Sequence, residues 1–241
     1  MATIPGMQKA ALAAASMVLL SGCSGPVEWS GSLDDFLTGQ PERFGAAVED
    51  PRTHRVQVIY TRIDRDEDNT PSFTSYTFRL DADEYFYPAS TVKLPTALLA
   101  LEKLNDLGFQ ALDRDTTMLT GAADPSQTAA ISDRTSSSGL PSVGQYIRKI
   151  LLVSDNDAFN RLYEFAGQQA INERLWEMGF TDARILRRLE AGLDPEANRT
   201  TNPFVFFDAE GQELHRQPLV RNPHEWRVEM REVRQGRGHY R

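Results

Sequence analysis

The stretch from Pro88 to Leu104 constrains the fold of this chain more than any other. Ser90 stands near its start, and Lys93 follows Ser90 by one helical turn, so both side chains can lie on the same helix face. The apolar residues that recur after Ser90 at the spacing of a core helix are Val92, Leu94, Leu98, Leu101 and Leu104. The sequence therefore predicts a hydroxyl and an amine side by side at the beginning of a core helix.

The Ser90–Lys93 pair has the groups that an acylating serine enzyme needs. A helix N-terminus favours negative charge developing near Ser90. Burial would lower the pKa of Lys93 towards a value at which its amine accepts the serine proton. The alternative is that Ser90 is an N-cap, which is the ordinary role of a serine at a helix start. The Ser-x-x-Lys spacing alone does not separate these two interpretations.

Composition excludes several other kinds of site. The net charge of −8 argues against nucleic acid as a partner, because phosphate binding needs clustered lysine and arginine. The single cysteine, Cys23, rules out an internal disulfide. No Cys/His cluster has the spacing of a metal site, so we expect neither a metal nor another cofactor.

Residues 7–23 have the pattern of an export signal. Lys9 precedes an apolar run that is too short for a stable membrane anchor and that ends in Leu-Ser-Gly-Cys. This ending resembles a bacterial lipobox, which implies a signal peptide over 1–23 and a lipid on Cys23. The lipid, followed by a tether over 24–31, would hold the protein on the periplasmic or other extracytoplasmic face of the envelope membrane. The alternative is a buried helix with a chance cysteine.

The remaining pattern predicts an α+β fold, with a helical region packed on an antiparallel sheet. Residues 33–48 are predicted to be helical, with Ser32 as N-cap and a break at Pro41. Residues 55–63 and 73–80 alternate as a half-buried β-hairpin. Residues 113–139 read as a long surface connection. Further helices are predicted over 142–153, 158–165 and 169–178.

A second motif, Ser154-Asp155-Asn156, follows Ser90 by 64 residues. The amphipathic helix before it places these short polar side chains in a turn, where they can point into a cleft. Either motif alone is a weak signal, whereas the two together at this spacing are a strong one.

From residue 55 to residue 217 the chain resembles the penicillin-recognising serine enzymes, and class A β-lactamases are the most similar group. The resemblance implies a β-lactamase/transpeptidase-like fold and a small-molecule substrate, either a β-lactam or a peptidoglycan peptide. It implies that Ser90 attacks the lactam carbonyl, that Lys93 takes its proton and that Ser154 protonates the leaving nitrogen. Asn156 would contact Lys93 and the substrate, and Asp155 would bond backbone amides in the turn.

A β-lactamase also needs a base that hydrolyses the acyl-enzyme. Residues 184–190 and 198–203 resemble the opening and the close of the loop that carries this glutamate in class A enzymes. Glu190 is the first candidate and Glu196 the second. The alternatives are a D-Ala-D-Ala peptidase or penicillin-binding protein, which would lack the deacylating glutamate, and a non-catalytic envelope lipoprotein.

The third motif of this family does not occur in the sequence. No Lys-Thr-Gly, Lys-Ser-Gly or Arg-Thr-Gly is present, and no lysine follows Lys149. We therefore expect an incomplete hydrolase domain over 32–220, in which the C-terminal strands of the sheet are missing and an atypical arginine-rich tail covers 221–241, as in a truncated, frame-shifted or degenerate relative. The alternative is that the arginine-rich end is a genuine terminus that docks elsewhere.

Overall fold

The structure, a computed structural model, describes residues 32–227, 233–235 and 238–240. The chain divides into two compact units, Met1–Glu84 and Tyr85–Arg241. The predicted signal peptide and tether, with Cys23, lie outside the described residues. The proposed domain limits at 32 and 220 stay a prediction.

The first unit contains two short helices and a hairpin. They are α1 (Leu33–Thr38), α2 (Pro41–Glu49), β1 (Val58–Arg65) and β2 (Pro71–Phe78). The predicted break at Pro41 is confirmed, and Ser32 caps α1 through a reciprocal bond with Asp35.

The strands β1 and β2 form an antiparallel pair from Val58 opposite Phe78 to Arg65 opposite Pro71. One face packs Phe78 against Leu33 and Leu37 of α1. The hairpin is therefore confirmed, but β1 is less buried than the alternation predicted, because only its first residue is partly covered.

The second unit combines helices with antiparallel strands, so the predicted α+β class is confirmed. Its elements, after a 3₁₀ turn at Ala89–Val92, are α3 (Lys93–Asp106), β3 (Thr117–Thr120), α4 (Val143–Val153), α5 (Asn156–Ala166), α6 (Gln168–Glu177), α7 (Pro195–Arg199), β4 (Thr200–Thr201), β5 (Phe204–Phe207), β6 (Glu213–Gln217), β7 (Val220–Arg221), β8 (Val233–Gln235) and β9 (Gly238–Tyr240). Within the part of the chain that the structure describes, no helix has the length and hydropathy needed to cross a membrane.

The core of the second unit is built around α5. Every residue of α5 from Ala158 to Ala166 is buried, and the helix packs against α3, α4 and α6. Phe165 makes edge contacts with Phe204 and Phe206 of β5, with ring centroids 5.8 and 5.4 Å apart. The strands run in the order β3-β5-β6, all antiparallel, so the helices and this sheet share one apolar core.

The predicted surface connection over 113–139 is wrong for β3. Met118 is fully buried, and Thr117 to Thr120 pair with β5 from Phe207 to Phe204. A four-residue strand carries little local signal, and its pairing partner lies far along the chain, so tertiary contact decides its conformation.

The predicted core face of α3 is also wrong in part. Leu94 and Leu98 are 54% and 58% exposed, whereas Lys93, Ala97 and Ala100 are buried. The helix is turned so that the stripe carrying Lys93 faces α4 and α5. Hydrogen bonds to the Lys93 ammonium, described below, supply the reason, because a buried charge requires such partners.

Candidate active site

The nucleophile candidate Ser90 lies in the 3₁₀ turn immediately before α3 and is exposed to solvent. Ala89 adopts the left-handed conformation, with φ of 47°, which a residue with a Cβ rarely takes. The turn places the Ser90 hydroxyl at the helix entrance, where backbone amides have no intrahelical partner and can stabilise negative charge.

The second motif occupies the junction between α4 and α5. Ser154 ends α4 in the left-handed conformation, with φ of 55°, and its backbone N–H donates to Lys149 O. Asp155 is the N-cap of α5, where its Oδ1 accepts a 2.8 Å bond from the Ala158 amide. The predicted turn and the predicted structural role of Asp155 are both present.

The buried side chain of Lys93 contacts both motifs. Its side chain is 3% exposed, and Nζ donates to Ser154 O at 2.5 Å and to Asn156 Oδ1 at 2.5 Å. Nζ also lies 2.8 Å from Ser154 Oγ and 3.2 Å from Ser90 Oγ. The two hydroxyl oxygens are 3.1 Å apart. The structure thus brings Ser90, Lys93, Ser154 and Asn156 into one hydrogen-bonded cluster.

The electrostatics of this cluster suit a lysine that exchanges protons. Burial lowers the pKa of Lys93 below its ordinary value, because the ammonium loses hydration. The carboxylates of Asp155 and Glu190 oppose this effect by attracting the charged form. Perturbed titratable groups of this kind occur frequently at catalytic sites.

The two candidate bases occupy different surroundings. Glu190 is exposed, has a left-handed backbone with φ of 53°, and interacts electrostatically with Lys93. Glu196 instead forms ion pairs with Arg199 and Arg221. Glu190 is therefore the candidate whose charge acts on Lys93, while the carboxylate of Glu196 is engaged by arginines.

The segment before Glu190 is held by side chains that sequence reasoning missed. Asn160 of α5 donates to Leu189 O at 2.9 Å and accepts from Leu189 N at 2.8 Å. The next residue back, Arg188, donates its backbone N–H to Asn198 Oδ1 at 2.7 Å. This last bond joins the opening of the loop to its close, so the backbone that leads into Glu190 is fixed from two sides.

A buried ion cluster anchors the same loop to α5. Glu164, 3% exposed, accepts from Arg188 Nε at 2.5 Å and from Arg161 at 3.1 Å. Burial raises the pKa of Glu164, and the two guanidinium groups oppose that rise. A signal was available in the sequence, because Asn156, Asn160 and Glu164 recur every four residues and so share one face of α5.

The described residues contain no group of three or more histidine, cysteine, aspartate or glutamate side chains placed to hold a metal ion. The cluster presents two hydroxyls, an amine and an amide, and the carboxylate of Glu190 acts on the amine electrostatically. Their arrangement is suited to transfer of an acyl group onto a serine and of protons among the two hydroxyls and the lysine.

Comparison with known proteins agrees with this geometry. No curated protein and no solved structure matches the chain. The sequence model described as "Beta-lactamase enzyme family" matches residues 47–210, which include the Ser90 turn, the Ser154 turn and the Glu190 loop. Because the match covers more than half of the chain, this protein belongs to the β-lactamase enzyme family, a family of serine hydrolases.

Proposed function

We propose that this protein hydrolyses β-lactams through an acyl-enzyme on Ser90. The observation that carries the proposal is the position of Lys93 Nζ, buried and 3.2 Å from Ser90 Oγ and 2.8 Å from Ser154 Oγ. A neutral amine at that point can take a proton from one hydroxyl and return it through the other.

In the acylation step, Ser90 Oγ attacks the lactam carbonyl carbon as its proton passes to Lys93 Nζ. The carbonyl oxygen becomes an oxyanion beside the entrance of α3, where helix amides stabilise it. The C–N bond then breaks, and Ser154 gives its proton to the ring nitrogen. Lys93 returns the proton to Ser154, so the products are an ester on Ser90 and a free ring amine.

In the deacylation step, a water molecule replaces Ser90 on the acyl group. We assign its activation to Glu190, which takes one proton from the water as the oxygen attacks the ester carbonyl. The ester C–O bond breaks, the proton returns to Ser90 Oγ, and the substrate leaves as a carboxylic acid. Glu196 is the less favoured base, because ion pairs to Arg199 and Arg221 occupy its carboxylate.

The test is the intact mass of the purified protein after incubation with benzylpenicillin. We expect an increment equal to one penicillin on the wild type, none on Ser90→Ala, and an unchanged increment on Ser137→Ala, which alters an exposed serine in a loop. An increment that survives Ser90→Ala, or a folded wild type that neither gains an increment on acid quenching nor consumes benzylpenicillin, would overturn the proposal.

The lifetime of the adduct separates a hydrolase from a penicillin-binding peptidase. We expect Glu190→Gln to accumulate acyl-enzyme that the wild type releases. An adduct equally long-lived in both proteins would indicate a D-Ala-D-Ala peptidase or penicillin-binding protein, in which Glu190 has no role in turnover.

We also propose that Cys23 carries a lipid that holds the hydrolase at the extracytoplasmic face of the envelope membrane. The proposal depends on the apolar run and the Leu-Ser-Gly-Cys ending in residues 7–23. Growth of an expressing bacterium with an alkyne fatty acid should label the wild type and leave Cys23→Ser unlabelled. Equal labelling of both would contradict it.

A further inference from the structure

Lys149 holds the Ser154 turn through both its backbone and its side chain. Its carbonyl oxygen accepts a hydrogen bond from the backbone N–H of Ser154, the residue that ends α4. The same oxygen accepts from the Asp155 N–H at 3.4 Å. Its ammonium lies 3.6 Å from Asp155 Oδ2, so the residue that caps α5 also forms an ion pair with α4.

The same ammonium reaches a second carboxylate. Lys149 Nζ is 3.5 Å from Asp133 Oδ2, in the loop before α4, and the Asp133 side chain is 7% exposed. Burial acts to raise the pKa of Asp133, but bonds from Thr135 and attraction by Lys149 outweigh it, and the resulting pKa is below the ordinary value. Lys149 therefore sits between two carboxylates from different elements and is only 22% exposed.

Other charged groups lie near Lys149 and Lys93. Arg148, the neighbouring cation on α4, pairs with Asp115 at 3.1 Å rather than with Asp155. In the hydrogen-bonded cluster, the carboxylates that act on Lys93 are those of Asp155 and Glu190. Asp155 is thus shared between two lysines, Lys149 by ion pairing and Lys93 through its field.

We propose that Lys149 is a positioning residue for the candidate active site, which neutralises Asp155 and fixes the turn that carries Ser154. The proposal rests on the proposed acylation of Ser90. Lys149 touches neither Ser90 nor a reacting atom, so its effect on catalysis passes through Asp155 to Lys93 and Ser154.

The physical consequence has a definite sign. A carboxylate that loses its partner cation attracts other cations more strongly. If Lys149 becomes neutral, Asp155 stabilises the protonated form of Lys93 to a greater extent, and the pKa of Lys93 rises. Less Lys93 is then available as a base at neutral pH, so acylation of Ser90 slows there and recovers at higher pH.

The protein is well suited to a direct measurement, because it has only four lysines: Lys9, Lys93, Lys103 and Lys149. Lysine labelled with ¹³C at Cε gives one signal per lysine, three once the predicted signal peptide with Lys9 is removed, and Lys→Arg substitutions assign them. We expect the titration midpoint of Lys93 to be higher in Lys149→Met than in the wild type. Lys149→Arg, which keeps the charge, should restore the wild-type midpoint, and Arg148→Met, which removes a cation paired elsewhere, should leave it unchanged.

An unchanged Lys93 midpoint in Lys149→Met, or an equal shift in Arg148→Met, would overturn the proposal. If Lys149→Met does not fold, Lys149→Gln tests the same loss of charge with a polar side chain of similar length. The titration requires no substrate, so a wild type that is not acylated by benzylpenicillin contradicts the proposed function without affecting this measurement. Where acylation occurs, its pH profile should move in the same direction as the Lys93 midpoint.

Discussion

The two ends of α3 each hold a lysine against α5, and their surroundings differ. Lys93, at the N-terminal end, binds Ser154 at the end of α4 and Asn156 at the start of α5. Lys103, near the C-terminal end, donates to Phe165 O at 2.6 Å at the finish of α5 and lies 4.9 Å from the centre of the Phe165 ring. Because α3 and α5 run in the same direction, each end of α3 places a lysine ammonium against the corresponding end of α5, and the two contacts lie about 15 Å apart.

Burial lowers the pKa of both lysines, to about 8 for Lys103, but the neighbouring groups give the two residues different uses. Lys93 stands at helix N-termini, whose positive ends disfavour a cation, and it faces two hydroxyls. Lys103 faces the C-terminal carbonyls of α5, which favour a cation. We therefore expect a buried lysine to be reactive where a nucleophile lies beside it, as at Lys93, and to secure a helix end elsewhere, as at Lys103.

The largest expected effect tests this division of roles directly. Lys93→Met should slow acylation of Ser90 by benzylpenicillin by about 10²- to 10⁴-fold, the usual contribution of a positioned proton acceptor. Lys103→Met, the matched change on the same helix, should keep the acylation rate of the wild type. Rapid-quench mass spectrometry gives both rates, and a comparable loss in the two variants would refute the distinction between the two ends.

The next effect concerns α5, which supports both lysines. Glu164→Gln leaves Arg188 buried without its carboxylate partner and leaves Arg161 paired with Asp157, so the free energy of unfolding should fall by about 3 to 5 kcal/mol. Glu102→Gln removes a partly exposed partner of Arg174, so its effect on the free energy of unfolding should be much smaller. Urea unfolding followed by circular dichroism measures both, and losses of similar size would argue against a supporting role for the buried cluster.

The third prediction concerns pH and the structural lysine. The pKa of Lys103 is about 8 in the folded protein and near 10.5 when unfolded, so the unfolded chain binds more protons between these values. Stability contributed by Lys103 should therefore increase as pH rises from 8 to 10.5, by at most about 3 kcal/mol. The difference in unfolding free energy between wild type and Lys103→Met, measured across this pH window, isolates the contribution of Lys103. A difference that does not vary with pH would contradict it.

The smallest effect sharpens the electrostatic account of Lys93. Glu190 raises the pKa of Lys93, so Glu190→Gln should lower that pKa and move the acidic limb of the acylation pH profile to lower pH. The titration midpoint of Lys103 should stay in place, because burial alone accounts for its shift. A limb displaced to higher pH would reverse the assigned sign of the Glu190 interaction.

The sequence predicted much of the architecture because the relevant signals are local. Ser32 caps the helix that follows it, as a serine before a helical run leads one to expect. The hairpin β1–β2 followed from alternation of side chains. The strand β3 and the exposed position of Leu94 did not, because the first depends on pairing with β5 and the second on the rotation of α3 about its axis.

The candidate site shows the same boundary between local and tertiary information. Spacing alone placed Ser90 and Lys93 on one helix face, and the family resemblance joined them to Ser154 and Asn156. No local pattern distinguishes Glu190 from Glu196, since both are glutamates of one loop, and only the structure shows that Arg199 and Arg221 form ion pairs with Glu196.

By itself, the sequence determined which reactive groups this protein has and which helices present them, since motif spacing and helical periodicity are properties of neighbouring residues. Only the tertiary structure decided the burial, the charged partners and the backbone conformation of those groups. The burial of Lys93, the pairing of Lys149 with Asp155, and the left-handed backbones of Ser154 and Glu190 arise where separate elements meet. Electrostatic fields and desolvation depend on distance in space, and distance along the chain does not report it.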